Sequence, residues 1–233
     1  MDLKKEKLFH QLIWYMLIFS IFGLIIETTY CFITTGVLES RKGLILGPVC
    51  PIYGIGAVII ILGLRKFKGK KIQLFLLGII LGSIAEYAIS FMLEAIYGTR
   101  FWEYSYMKYH INGRICVVYS LFWGILSLIM IQYVKPLIDK IIDKIQIKWL
   151  DYTILLLFII DALLTVWGIN VYIERVKYGR QEPVNANFIQ INKYKIEEKC
   201  FSNETISKIF PNIRIIDDEG QEVWVRDLIK KHE

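Results

Sequence analysis

The sequence predicts an all-α membrane helical bundle of about five transmembrane helices and one interfacial amphipathic helix, followed by a small C-terminal α+β tail. Three observations carry that expectation. Five apolar stretches, Leu12–Val37, Gly43–Leu64, Ile72–Ala95, Ile115–Val134 and Tyr152–Ile173, fill most of the chain up to residue 173. Each approaches the roughly 20 residues a helix needs to cross a hydrocarbon core of about 30 Å. Finally, 55% of the 233 residues are hydrophobic, and the Lys and Arg cluster in the connections between the apolar stretches.

The first stretch follows Lys4, Lys5 and Lys7. It is too long for the apolar core of a signal peptide and no small-residue cleavage site closes it, so it reads as a retained span. The second stretch opens with Gly47-Pro48-Val49-Cys50-Pro51. Two prolines three apart remove backbone donors and clash with the preceding turn. A regular helix is therefore expected to start at Pro51, a favoured first-turn residue. Gly43–Cys50 is expected to be irregular and enclosed by protein, since unpaired backbone is not tolerated in lipid. The third and fourth stretches read as plain spans, the fourth with twenty consecutive uncharged residues. Pro136 is expected to start a separate short helix. Leu137, Ile138, Ile141, Ile142 and Ile145 form its apolar face and Asp139, Lys140, Asp143 and Lys144 its polar face, which suits the membrane interface or a docked soluble partner.

The chain divides into a transmembrane helical domain, 1–173, and a small soluble tail, 174–233. Eleven acidic and eleven basic residues balance in the tail, so the whole net charge of +6 belongs to the membrane half. In the tail, Ser202–Phe210 reads as a short helix. Asn212–Ile216 and Glu222–Arg226 alternate around Asp217-Asp218-Glu219-Gly220 and predict a β-hairpin.

Basic residues flanking spans set topology. The N-terminal tail, the Arg65–Lys71 connection and the connection after Val134 carry twelve Lys and Arg, against eight on the other side. The expectation is a multi-pass protein of the cell membrane with a cytoplasmic N-terminus and an external C-terminus. The partners expected are the lipid bilayer and either further copies of the chain or a separate ATPase subunit. The basic charge is accounted for by topology, so no nucleic acid is expected. Cys31, Cys50, Cys116 and Cys200 show no C-x-x-C spacing, and no metal or cofactor is called for.

Glu27, Glu86, Glu94 and Asp161 lie within otherwise apolar stretches. Charge at membrane depth is costly and turns toward a cavity, the bundle interior or a partner. Arg114 stands one residue before a span and is the natural bidentate partner for a carboxylate. These residues suggest one polar cluster of Glu27, Glu86, Glu94 and Arg114, lined by Tyr53, Tyr87, Trp102 and Asn112. No nucleophile stands out beside it, so the sequence leaves enzymatic activity undecided.

Gly43-Leu-Ile-Leu-Gly47-Pro48-Val-Cys50-Pro51-Ile-Tyr53-Gly54 resembles the G-x-x-x-GP-x-CP-x-YG segment of the ABC-transporter type IV, CmpB-like membrane family. Further matches follow in order. They are the Glu-bearing first span, Glu86-Tyr87, Phe101-Trp102-Glu103-Tyr104-Ser105, Asn112-Gly113-Arg114-Ile115-Cys116, and Ser120-Leu-Phe-Trp123-Gly124. Together they cover Trp14–Pro136. The resemblance implies a permease-like subunit moving a small solute. No G-x-x-x-x-G-K-[ST] phosphate loop is present, so ATP binding would fall to another polypeptide. The alternatives are a non-catalytic membrane scaffold or sensor, and an intramembrane enzyme acting on a lipid.

Overall fold

A computed structural model of the chain describes residues 3–97, 99–178, 187–216 and 222–224. Four of its helices are long and apolar enough to cross a membrane: Lys5–Thr35, Lys71–Ile96, Val117–Ile142 and Lys148–Val176. They belong to α1 (Leu3–Thr35), α3 (Lys71–Tyr97), the α4–α5 rod described below, and α6 (Lys148–Tyr178). The second apolar stretch gives α2 (Pro51–Leu64), which is 14 residues long. It begins where the prolines require, with Pro51 in its first turn and Cys50 in extended backbone.

α2 runs antiparallel to α1. The Cys50 N–H donates to the Ser20 carbonyl at 3.1 Å, and Tyr53 lies on Gly23. Farther along, Gly54 abuts Met16 and Ser20. Ser20 is fifteen residues before the end of α1, about 22 Å along its axis. α2 therefore starts deep within the bundle, and the chain from Gly36 to Cys50 reaches it without forming a helix. Leu44, Val49 and Cys50 on that segment are buried, as the sequence suggests.

α6 supplies the hydrogen bonds that the irregular segment lacks. Asp161 accepts the N–H groups of Leu46 at 2.9 Å and Gly47 at 2.8 Å, and Thr165 Oγ1 accepts that of Ile45 at 3.0 Å. A helix turn that ends in lipid would leave such donors unsatisfied. Here one buried carboxylate and one hydroxyl take three in a row.

α4 (Val117–Ile129) packs antiparallel on α3 through small residues, as membrane helices do when no hydrophobic force separates helix from lipid. Gly78 lies against Ser127 and Gly124, and Ser83 donates to Ser120 at 2.7 Å. The helix then widens into a π turn, Met130–Val134, and continues without a break as α5 (Lys135–Ile142). The separate helix expected at Pro136 is thus the end of the fourth span. The physical reason is the π turn itself, whose wider hydrogen-bond spacing accommodates a residue that has no N–H. Ile138 and Ile142 on α5 are buried in the main apolar core with Tyr15, Ala57, Ile60, Ile61, Leu64, Leu74 and Ile131.

Contacts fix which ends share a side. Glu6, Lys7, His10 and Tyr15 of α1 meet Lys148, Asp143, Asp151 and Asp139 respectively, so the start of α1, the end of α5 and the start of α6 lie together. Buried Asp151 also accepts from Trp14 Nε1 at 2.9 Å. The partners in this set stand more than 120 residues apart, so no local sequence pattern announces them.

At the other side, β1 (Thr99–Arg100) pairs antiparallel with β4 (Arg214–Ile216), which pairs with β5 (Glu222–Trp224). The two hairpin strands occur as expected. Their turn, residues 217–220, lies outside the described residues. α7 (Phe188–Cys200) opens with a capping box of Asn187 and Gln190, and α8 (Asn203–Ile209) with Ser202 as cap. Phe201, Ile206, Phe210 and Ile213 share one core with Ile169, Tyr172 and Val176 of α6.

Candidate functional site

Two segments of irregular backbone reach into the bundle from the side that carries β1. The first is Gly36–Cys50. The second runs from Phe101 to α4, and holds a minimal hairpin of β2 (His110–Ile111) and β3 (Ile115–Cys116). Asn112 and Gly113 turn that hairpin with φ of 52° and 68°. Glu103 occupies the space a Cβ on Gly113 would need, so a glycine stands there on two counts. The segment descends far: Tyr104 donates to Glu86 at 2.9 Å. Glu86 is eleven residues before the end of α3, about 16 Å along the helix.

The polar residues expected to form one cluster form three groups. In the first, Arg114 donates from Nη2 to Glu94 at 2.6 Å and from Nη1 to Ser90 at 3.0 Å. The rings of Tyr87 and Phe91 flank its guanidinium at 5.7 and 5.6 Å. Arg100 bridges Glu94 at 2.8 Å and Glu103 at 2.7 Å. Two Arg and two Glu therefore neutralise each other. Trp102 Nε1 donates to the Arg114 carbonyl at 3.1 Å, and Asn112 Nδ2 to the Tyr87 hydroxyl at 2.9 Å. Burial pushes the Glu103 carboxyl up. Its bonds from the Ser105 hydroxyl, Arg100 and the Ser105 N–H outweigh that and hold it below the usual carboxylate range.

In the second group Glu86, which is buried, accepts from Tyr104 and from Trp123 Nε1, the latter at 3.0 Å. Burial, then the neighbouring Glu86 charge, push the Tyr104 phenol well above its usual range, so it acts as a donor. Its ring stacks on Tyr119 at 4.7 Å. In the third group Glu27 accepts from the Tyr53 hydroxyl at 2.6 Å, with Arg41 in electrostatic range. The Tyr53 and Tyr104 phenols are within electrostatic range of each other.

Arg114 thus pairs with Glu94, as the cost of lone charge at depth demands. Glu27 and Glu86 instead take neutral donors, and among the described residues neither has an ion-pair partner. Arg100, Glu103, Tyr104 and Trp123 join these groups in addition to the residues the sequence suggests. Glu103, Tyr104 and Trp123 stand inside the motifs Phe101–Ser105 and Ser120–Gly124, and Arg100 immediately precedes the first. Among the described residues no group of His, Cys, Asp and Glu is placed to hold a metal.

The motifs that surround these groups match a family model over residues 14–166, from before Glu27 to beyond Asp161. The family is described as "Putative ABC-transporter type IV". The chain belongs to that family. No curated protein and no solved structure matches the chain. The family match covers every residue of the three groups and both irregular segments, and stops short of α7, α8 and strands β4 and β5.

Proposed function

We propose that the chain is the permease-like membrane subunit of an ABC-type system that moves a small solute. The observation that carries this reading is the pair of helices, α2 and α4, that begin deep in the bundle behind non-helical chain. Irregular backbone at membrane depth persists only where protein or water surrounds it. Helix entries of this kind form solute sites in transporters. Glu27 and Glu86 are the solute-facing acids in this reading, and Tyr53, Tyr104 and Trp123 orient them. Such a lining favours a solute that is cationic or rich in hydrogen-bond donors. The Arg114–Glu94–Arg100–Glu103 network is already neutral and holds the second irregular segment in place.

The same reading makes Gly43–Cys50 and α2 together the second of five crossings. The N-terminus is then cytoplasmic and the tail external, in line with the twelve-to-eight distribution of Lys and Arg. ATP hydrolysis belongs to a partner subunit, since these residues hold no phosphate loop.

Affinity purification of the full chain in mild detergent tests the proposal. The expected result is a co-purifying polypeptide that carries a phosphate loop and hydrolyses ATP, with hydrolysis altered by Glu86→Gln. Recovery of the folded chain with lipid alone would overturn the ABC-type reading.

A further inference from the structure

We infer that α1–α2 and α3–α4 are two copies of one unit, set side by side in the same orientation, and that Glu27 and Glu86 are the same position occurring twice. The sequence signal is modest. Gly23-Leu-Ile-Ile-Glu27 recurs 59 residues later (23 to 82) as Gly82-Ser-Ile-Ala-Glu86, and Phe32 recurs at the same interval as Phe91. Tyr53-Gly54-Ile55 recurs 70 residues later (53 to 123) as Trp123-Gly124-Ile125. Gly and Ile are common in membrane spans, so these matches alone carry little.

The contacts carry the inference. In the first unit the Tyr53 ring lies on Gly23 and its hydroxyl bonds Glu27. In the second the Trp123 indole lies on Gly82 and its N–H bonds Glu86. A Cβ on Gly54 would strike Met16 and Ser20, and one on Gly124 would strike Phe75 and Ile79. Phe75 and Ile79 stand 59 residues after Met16 and Ser20. Three kinds of contact, ring on glycine, donor to carboxylate and glycine on helix, therefore repeat at the same two offsets. Exposure repeats as well: Ile25 and Ile84 are 54% and 60% exposed, Phe32 and Phe91 50% and 60%.

The orientation follows from the connections. α2 runs back toward the start of α1, and the short Arg65–Lys70 link starts α3 at that same side. The copies are thus parallel, related by an axis along the membrane normal rather than inverted across it. They differ in what steadies the irregular segment: Asp161 of α6 in the first copy, and the Arg114–Glu94 pair in the second. Resting on the permease reading, the solute route runs along the boundary between the copies, to which each copy contributes one acid, Glu27 and Glu86.

Parallel copies place equivalent residues at equal depth, and site-directed spin labelling measures depth. The full chain, with Cys31 and Cys200 replaced by Ser, would carry a label at Ile25→Cys or at Ile84→Cys in phospholipid nanodiscs. Collision with oxygen and with a water-soluble nickel chelate reports the depth of each label. The two depths are expected to agree within about one helical turn, roughly 5.4 Å. Any larger difference overturns the repeat. Phe32→Cys and Phe91→Cys form a second pair judged by the same criterion, should a label at the first pair prevent insertion. No solute or ATPase enters this measurement, so its failure would leave the permease reading standing, and loss of the permease reading would leave the repeat.

Discussion

Asp161 and Gly47, 114 residues apart, are joined by a hydrogen bond of 2.8 Å from the Gly47 N–H to the Asp161 carboxylate. The other carboxylate oxygen takes the N–H of Leu46 at 2.9 Å. Asp161 is 6% exposed. Among the described residues its charge is thus compensated by two backbone dipoles rather than by a cation, and those dipoles belong to the segment that cannot be helical.

Asp161→Ala should therefore destabilise the protein through the segment, with a penalty of roughly 1–3 kcal/mol for each N–H left without an acceptor. Asp161→Asn keeps one acceptor oxygen and should lose clearly less. Thermal unfolding of both variants in one detergent checks the order. Equal melting temperatures for Ala and wild type would refute the role.

Arg114→Met leaves Glu94 with Arg100, and because the Glu94 side chain is 23% exposed the loss should fall below the roughly 3–5 kcal/mol that breaking a fully buried pair costs. Adding Glu94→Gln should recover part of that loss, because it removes the stranded charge. Recovery should stay incomplete, since Arg100 then loses its own bond to Glu94 as well. A double-mutant cycle on unfolding free energy measures the coupling. Strict additivity would mean that the 2.6 Å pair contributes nothing.

Gly54 and Gly56 make a matched test of close packing. A Cβ on Gly54 collides with the backbone oxygen of Met16, whereas one on Gly56 meets only the edge of Trp123 at 3.5 Å, an ordinary contact. Gly54→Ala should cost about 1–3 kcal/mol by forcing α1 and α2 apart. Gly56→Ala should be close to neutral. Comparable losses at both sites would show that the close approach at Gly54 does not govern the pair.

The second irregular segment should loosen in acid. Glu103 is held below the ordinary carboxylate value of 4.5 in the folded chain. Its stabilising contribution is therefore present above that pH and disappears as pH falls through the lowered value. Limited proteolysis within residues 101–116 should accelerate on that descent. Glu103→Gln should be cut readily at neutral pH and respond less to acid.

Reporters fused to each end should place the N-terminus in the cytoplasm and the C-terminus outside. A tail found inside the cell would remove the second crossing that Gly43–Cys50 and α2 are proposed to make.

The parts of this architecture that local chemistry dictates were legible in the sequence. Pro48 and Pro51 announced the start of α2, the Arg114 charge announced a carboxylate partner, and Ser202 marked the start of α8. What escaped the sequence depends on partners far along the chain. Asp161 read as an unexplained charge because its donors are backbone groups 114 residues earlier, which have no side-chain signature. Pro136 read as a helix start because proline usually interrupts hydrogen bonding, and only packing reveals that a π turn absorbs it. Glu27 and Glu86 were grouped with Arg114 on charge alone. The structure gives them phenol and indole donors instead, a pairing of shape that no charge count would supply.

The antiparallel pairing of Thr99 with Ile215 has a consequence for biogenesis. The β1 edge leaves the ribosome long before its partner strand is made, so this junction closes only after the helices α1–α8 have been synthesised. Until Arg214–Ile216 arrives, the chain that leads from α3 toward Tyr104 has a free edge on that side. Maturation of the deep polar groups is thereby tied to synthesis of β4, and a chain truncated before β4 would enter the membrane with its helices in place and this latch open.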